Sequence, residues 1–228
     1  VGIDIAAIRQ VLDAAPHEKD ASARNSSAVI ELPMPDGTME LFSFVNSPVM
    51  APELADKYPE IQVFVGQGID NPSSVVRFDL TPQGFHAMIL RSESTVYIDP
   101  FTSGDLTKCI SYTKNSFYQA TDKQHEGCMV EDGHLGDLNP KAEKSIQTPK
   151  TPNYKPQVMQ MGMQKSMMVS NGSTLRTYRL ALACTGEYGQ YHGGTIAGAL
   201  AAMNTSMARV NGVFERDVCI RMIIVANN

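Results

Sequence analysis

The last stretch of the chain, Leu175–Asn228, leaves the fewest folding options. Tyr178–Cys184 is a short apolar run closed by Thr185-Gly186. Ile196, Leu200, Met203, Met207, Val210 and Phe214 then recur at threes and fours, which is one face of an amphipathic helix. Thr195 stands where a hydroxyl caps the first free N–H groups. Ile220–Val225 is a continuous run rich in β-branched residues, the mark of a strand buried on both faces. Strand, long helix, strand is a βαβ unit with a right-handed crossover expected. Two parallel strands and one helix cannot cover both faces of their sheet. The stretch therefore reads as the opening of a larger domain.

The N-terminal half has a different period. Asp4–Ala14 reads as a short helix, with Ile5, Ile8, Val11 and Leu12 on one face and Pro16 beyond it. Strand-like runs follow at Ala28–Leu32, Met39–Val45, Ile61–Val65, Ser74–Leu80, Phe85–Leu90, Thr95–Ile98 and Lys108–Thr113, with a helical turn or two at Pro52–Tyr58. Pro33-Met34-Pro35-Asp36-Gly37 and Thr81-Pro82-Gln83-Gly84 supply turn chemistry between them. Phe78 and Leu80 alternate with Arg77 and Asp79, so one buried and one wet face are expected for that strand. The spacing predicts an antiparallel sheet or sandwich over residues 1–130. Residues 131–174 hold Pro140, Pro149, Pro152 and Pro156, many polar residues and no period, which predicts a linker open to proteolysis. Its Met-rich end, Val158–Leu175, suits adaptable packing or simple apolar filling. Residues 175–228 form the third segment, and the fold class expected is α+β.

Charge narrows the partners. The chain has 228 residues and a formal net charge of −5, with no Lys/Arg cluster. Nucleic acid and anionic membrane are therefore poor partners, and no apolar run approaches the ~20 residues that cross a bilayer. The four cysteines are Cys109, Cys128, Cys184 and Cys219. Cys184 and Cys219 fall at opposite ends of the βαβ strand pair, too far apart for a disulfide, and buried thiols are expected for both.

Catalytic signatures are sparse. The histidines are His17, His86, His125, His134 and His192, and none pairs with another at the i, i+4 spacing of a helical zinc site. His125, Cys128 and His134 share one polar loop, a weak signal for structural zinc. His86 reads as a surface or half-buried strand residue. His192-Gly193-Gly194 lacks an accompanying GxSxG elbow and reads as a tight strand-to-helix connection. The Gly-containing stretches match no phosphate loop. Asn204-Thr205-Ser206 matches a glycosylation sequon but lies within the expected helix.

Longer stretches carry a resemblance. TYRLALACTGEY (177–188), GGTIAGALAAMNTSMARVNGVFERD (193–217) and IRMIIVANN (220–228) resemble the start of the catalytic domain in bacterial reprolysin-like zinc metalloproteases of the metzincin group. SPVMAPELADKYPEIQVFVGQGID (47–70), VRFDLTPQGFHAMI (76–89) and TVYIDP (95–100) resemble the propeptide region of that family. The resemblance implies a β-rich propeptide domain over 1–130, a linker with a processing region over 131–174, and a truncated first strand–helix–strand of the catalytic domain over 175–228. It implies zinc in the full-length parent enzyme and none in this fragment alone, which lacks HExxH and is expected to be inactive. Secretion from a bacterium follows from the same likeness. The implied role is latency and folding assistance, with the protease's own catalytic domain as partner.

Cys128, beside Gly127 in a polar loop, is then the candidate inhibitory ligand. A thiolate occupying the open position of a catalytic zinc displaces the water that hydrolysis needs. The alternative from a different class is an extracellular β-domain serving binding or adhesion, with no protease activity.

Overall fold

The computed structural model describes residues 1–102, 104–121 and 174–226. Helix α1 (Ile5–Asp13) begins where Asp4 accepts the N–H groups of Ala6 and Ala7 at 3.0 and 3.1 Å. Seven strands follow: β1 (Val29–Pro33), β2 (Met39–Asn46), β3 (Gln62–Gly68), β4 (Val75–Thr81), β5 (Gly84–Leu90), β6 (Val96–Pro100) and β7 (Cys109–Thr113). A short helix α2 (Pro52–Ala55) interrupts them after β2, and α3 (Lys114–Thr121), which the sequence reading missed, follows β7. The strands pair in chain order, each antiparallel to the next. Such a meander follows from the short turns. At the β1–β2 turn Gly37 sits at φ 87°, and Asp36 accepts the Thr38 N–H at 2.9 Å.

The sheet curls around its apolar face. Ile30, Phe42, Phe64, Phe78, Ile89, Ile98 and Cys109, one from each strand, belong to a single buried cluster that Leu12 of α1 also enters. Phe44, Phe64, Phe78 and Phe85 form a row across β2–β5, with neighbouring ring centroids 5.1–5.8 Å apart. The outer edge of β7 is paired by the N-terminus, since the Cys109 N–H donates to the Val1 carbonyl at 2.9 Å.

Residues 174–226 hold β8 (Arg176–Leu180), α4 (Gly186–Tyr191), α5 (Ile196–Val218) and β9 (Ile220–Ile224). Strands β8 and β9 are parallel, in register from Arg176↔Ile220 to Leu180↔Ile224. Thr195 caps α5 by accepting the Gly198 N–H at 3.0 Å. The helix ends at Cys219, whose φ of 55° turns the chain directly into β9. This is the strand–helix–strand order expected from the sequence.

Several expectations need correction. Val11 is exposed, because α1 presents Leu12 to the core and leaves the opposite edge in solvent. Cys184 is exposed beyond the end of β8 and Cys219 is half-buried, so neither is a core thiol. Strand β9 is mostly half-buried rather than enclosed on both faces. The His192-Gly193-Gly194 glycines, at φ 94° and 68°, join helix α4 to helix α5, not a strand to a helix. Largest of all, the expected wet face of β4 is dry: Arg77 and Asp79 are each only 2% exposed.

Candidate functional site

What covers Arg77 and Asp79 is α5. Residues Ala201, Thr205, Ala208 and Gly212 repeat along the helix at i, i+4, i+7 and i+11 and are all buried. Small side chains on one stripe let the helix axis approach the sheet closely. At Gly212 the approach is closest: a Cβ there would lie 2.9 Å from Met88 Cε and 3.1 Å from Arg77 Cγ. The adjoining face of α5 carries Leu200 and Met207 into a second cluster with Val49, Met50, Leu54, Ile61, Val63 and Ile224. One helix thus packs on residues of both the N-terminal and the C-terminal stretches.

The polar groups trapped beneath it are paired. The Arg77 guanidinium forms an ion pair with Glu215 of α5 and donates to Ser47 Oγ at 3.3 Å. Glu215 also accepts two hydrogen bonds from Arg221 of β9, at 2.6 and 3.0 Å. Arg221 reaches Glu18 at 2.7 and 2.8 Å, and Glu18 accepts from Ser47 Oγ at 2.8 Å. Arg77, Glu215, Arg221, Glu18 and Ser47 therefore close a ring. Burial pulls the Arg77 guanidinium below its ordinary value, while Glu215 pulls it back. Burial acts the same way on Arg221, but the hydrogen bonds and charges of Glu215 and Glu18 outweigh it and hold that guanidinium above its usual value. Both remain cations, as arginine does throughout proteins.

Two further contacts flank the ring. Asp79 Oδ1 accepts from Thr205 Oγ1 at 2.9 Å and lies 3.1 Å from His86 Nδ1. Asp99 pairs with Arg209 of α5 and accepts a hydrogen bond from the Tyr112 hydroxyl at 2.7 Å, with the Arg209 guanidinium 5.3 Å from the Tyr97 ring centroid. Beyond them, Gln83 Nε2 donates to the Gly198 carbonyl at 2.9 Å.

The outer edge of β9 is occupied too. The Met222 N–H and carbonyl pair with the fully buried Asn211 side chain at 2.9 and 2.8 Å. Two residues on, the Ile224 N–H donates to the Val49 carbonyl and its carbonyl accepts the Ala51 N–H, both at 2.8 Å. Backbone groups on an open strand edge template pairing with other chains, and here that edge is filled by Asn211 of the preceding helix and by Val49 and Ala51 of the N-terminal stretch.

A groove of about 930 Å³ opens beside this contact, between Leu54, Tyr58, Leu182, Leu200, Met203 and Ile224, with Cys184 and Thr185 on its wall. It brings together no nucleophile and base of the kind that share a proton. The histidines predicted from sequence stay apart: His17 accepts the Lys19 N–H, His86 meets Asp79, and His192 ends α4. Among the described residues no three His, Cys, Asp or Glu side chains converge on a metal position. Cys128, His125, His134 and the 131–173 stretch lie outside the described residues. Cys109 is a buried strand residue, as packing alone explains.

Sequence reading missed the ring entirely, since Arg77 and Glu215 are 138 positions apart and neither belongs to a motif. The one available signal was the pair of charges at Arg77 and Asp79 inside an otherwise apolar strand.

Residues 174–228 match the family described as Metallo-peptidase family M12B Reprolysin-like. That stretch is similar to the reprolysin-like metallopeptidases, a family that implies zinc in a full-length enzyme. The described residues offer that zinc no ligand set. No curated protein and no solved structure matches the chain. Among the described residues no helix is long and apolar enough to cross a membrane.

Proposed function

We propose that residues 1–130 are the pro-region of a secreted zinc metalloendopeptidase, holding its reprolysin-like region latent and assisting its folding. The observation that carries this is the Arg77–Glu215–Arg221–Glu18–Ser47 ring. Three of its members precede residue 122 and two lie in the reprolysin-like stretch, so the N-terminal sheet is built to grip that stretch in particular. Complementary buried charges specify register because a mismatched partner leaves one of them unpaired. Filling the β9 edge and the inner face of α5 supports folding assistance, since both surfaces are sticky when bare.

Latency has two sources on this reading. The sheet holds α5 and β9 in place, and the Cys128 thiolate occupies the open position of the enzyme's zinc. The partner is the protease's own catalytic domain, with the division at 1–130, 131–174 and 175–228, and nucleic acid and membrane play no part. In the full-length zymogen, peptide hydrolysis is expected to rise when the chain is cut after Thr174 and residues 1–174, Cys128 included, are removed. Equal hydrolysis before and after removal would contradict the pro-region reading. Cys128→Ser is expected to release activity before any cut, whereas Cys109→Ser is not. A Cys128→Ser zymogen as latent as its parent, at confirmed intact mass, would leave inhibition to the sheet contact alone.

A further inference from the structure

Pro48–Ala51 links β2 to α2 outside any helix or named strand, yet its Val49 and Met50 side chains are only 1% and 4% exposed. What encloses them comes from the far end of the chain. Both belong to the cluster that holds Leu200 and Met207 of α5 and Ile224 of β9. The backbone tells the same story. The Ala51 carbonyl accepts from Leu54 and Ala55 at the start of α2. Otherwise, among the described residues, the segment bonds only to Ile224, through the Val49 carbonyl and the Ala51 N–H, both at 2.8 Å. The preceding residue, Ser47, is tied to the sheet itself, its N–H donating to the Val63 carbonyl at 2.8 Å. The sheet's own core is a separate cluster, to which α5 and β9 contribute no residue.

Withdrawing α5 and β9 therefore leaves the sheet its core but strips this segment of its cover. Val49 and Met50 enter water, and the backbone loses both bonds to Ile224. A stretch of chain with free backbone groups and no regular structure is where endopeptidases cut. We propose that Pro48–Ala51 is a concealed processing site, hydrolysed at the Val49–Met50 bond by an endopeptidase that takes apolar side chains, and only after the reprolysin-like stretch has let go of the sheet. Water adds across the peptide bond, leaving a carboxylate on Val49 and an ammonium on Met50. The cut parts the Val49 carbonyl from the Ala51 N–H, so the pair that fills the β9 edge no longer acts as one piece. Removing the binding-competent sheet in this way makes separation irreversible by mass action. The role of the step rests on the pro-region reading: it is the hydrolysis that follows release and consumes the freed sheet.

The test is proteolysis of the intact 228-residue chain by thermolysin, which cuts on the amino side of apolar residues such as methionine. The fragment beginning at Met50 is followed by mass spectrometry at several urea concentrations below the unfolding transition. Rates are normalised to cleavage of an unstructured peptide of the same local sequence. The dependence of such a rate on urea scales with the surface exposed in the opening that permits the cut, so withdrawal of α5 and β9 is expected to raise it at least about ten-fold before unfolding begins. A rate indifferent to urea would show the segment fraying by itself, and would overturn the proposal. So would first cuts inside β1–β7. Glu215→Ala strips Arg77 of its buried partner while leaving residues 1–121 unaltered, and is expected to speed the Met50 cut at least about ten-fold without urea. An unchanged rate in that variant would also count against the proposal. The urea series uses the unaltered chain, so it stands even if the variant fails to fold. Neither readout involves zinc or peptide hydrolysis by this protein, so a failure here is distinct from a failure of the pro-region reading.

Discussion

At the residue scale, Gly212 and Glu215 set the terms on which α5 meets the sheet. A glycine inside a helix costs about 1 kcal/mol relative to alanine, and a Cβ added at 212 would meet Met88 and Arg77. The Met88 methyl is the mobile end of a flexible side chain, so Gly212→Ala is expected to come out near neutral in denaturant unfolding, the helix gain offsetting the squeeze. Gly212→Leu adds bulk that two packed elements cannot absorb, and a loss of about 1–3 kcal/mol is expected. The ring is asymmetric in a testable way. After Arg77→Met, Glu215 keeps both hydrogen bonds from Arg221. After Glu215→Ala, the Arg77 guanidinium, 2% exposed, keeps only Ser47. Breaking a buried ion pair by leaving one charge uncompensated costs about 3–5 kcal/mol, so Glu215→Ala is expected to destabilise the chain more than Arg77→Met does. Equal losses would show that the ring is not closed as described. Tyr112 provides a pH reading. Burial, with the hydrogen bond to Asp99 and the charge of that carboxylate, pushes its phenol up. A folded value above the unfolded one of about 10 means full stability below that pH and a decline as pH rises past it. Tyr112→Phe is expected to flatten this alkaline decline in urea midpoints measured from pH 9 to 11.

At the scale of elements, the sequence disclosed what depends on local period and hid what depends on neighbours. The seven strands follow from alternation and turn residues, and Asp36-Gly37 and Pro82-Gln83 stand at turns as their chemistry requires. Helix α5 follows from the recurrence of apolar residues and the Thr195 cap. That recurrence nonetheless picked out only one of two buried faces. Ile196 and Phe214, counted into the apolar stripe, are exposed, whereas Ala201, Asn204, Ala208 and Asn211 are almost wholly enclosed. Alanine and asparagine carry little hydrophobic signal, so a helix that packs through small residues conceals that contact. The charges of β4 misled for the mirror-image reason, because a residue paired with a distant counterion looks the same in sequence as one in water. Asn211 makes an element-level contact of this kind. Asn211→Leu strands the Met222 N–H and carbonyl, at roughly 1–3 kcal/mol for each unmade bond. Hydrogen exchange is expected to speed up at Met222 and at the adjoining Ile224. If only global stability drops and those two amides exchange with the rest, Asn211 is a packing residue and not the edge cap of β9.

At the scale of the whole molecule, residues 1–121 and 174–226 make one compact unit, although the reprolysin-like match begins only at residue 174. The grip rests on a closed charge ring, a stripe of small residues and a filled strand edge, and none of these needs a covalent link between the two stretches. The direct measurement is therefore to install a site-specific protease sequence between residues 122 and 173, cut it, and pass the product over a sizing column at about 1 μM. Co-elution of the two pieces as one species of uncut size is expected, with Glu215→Ala releasing them into separate peaks. Separation of the unaltered pieces under the same conditions would contradict the claim that the N-terminal sheet holds the reprolysin-like region.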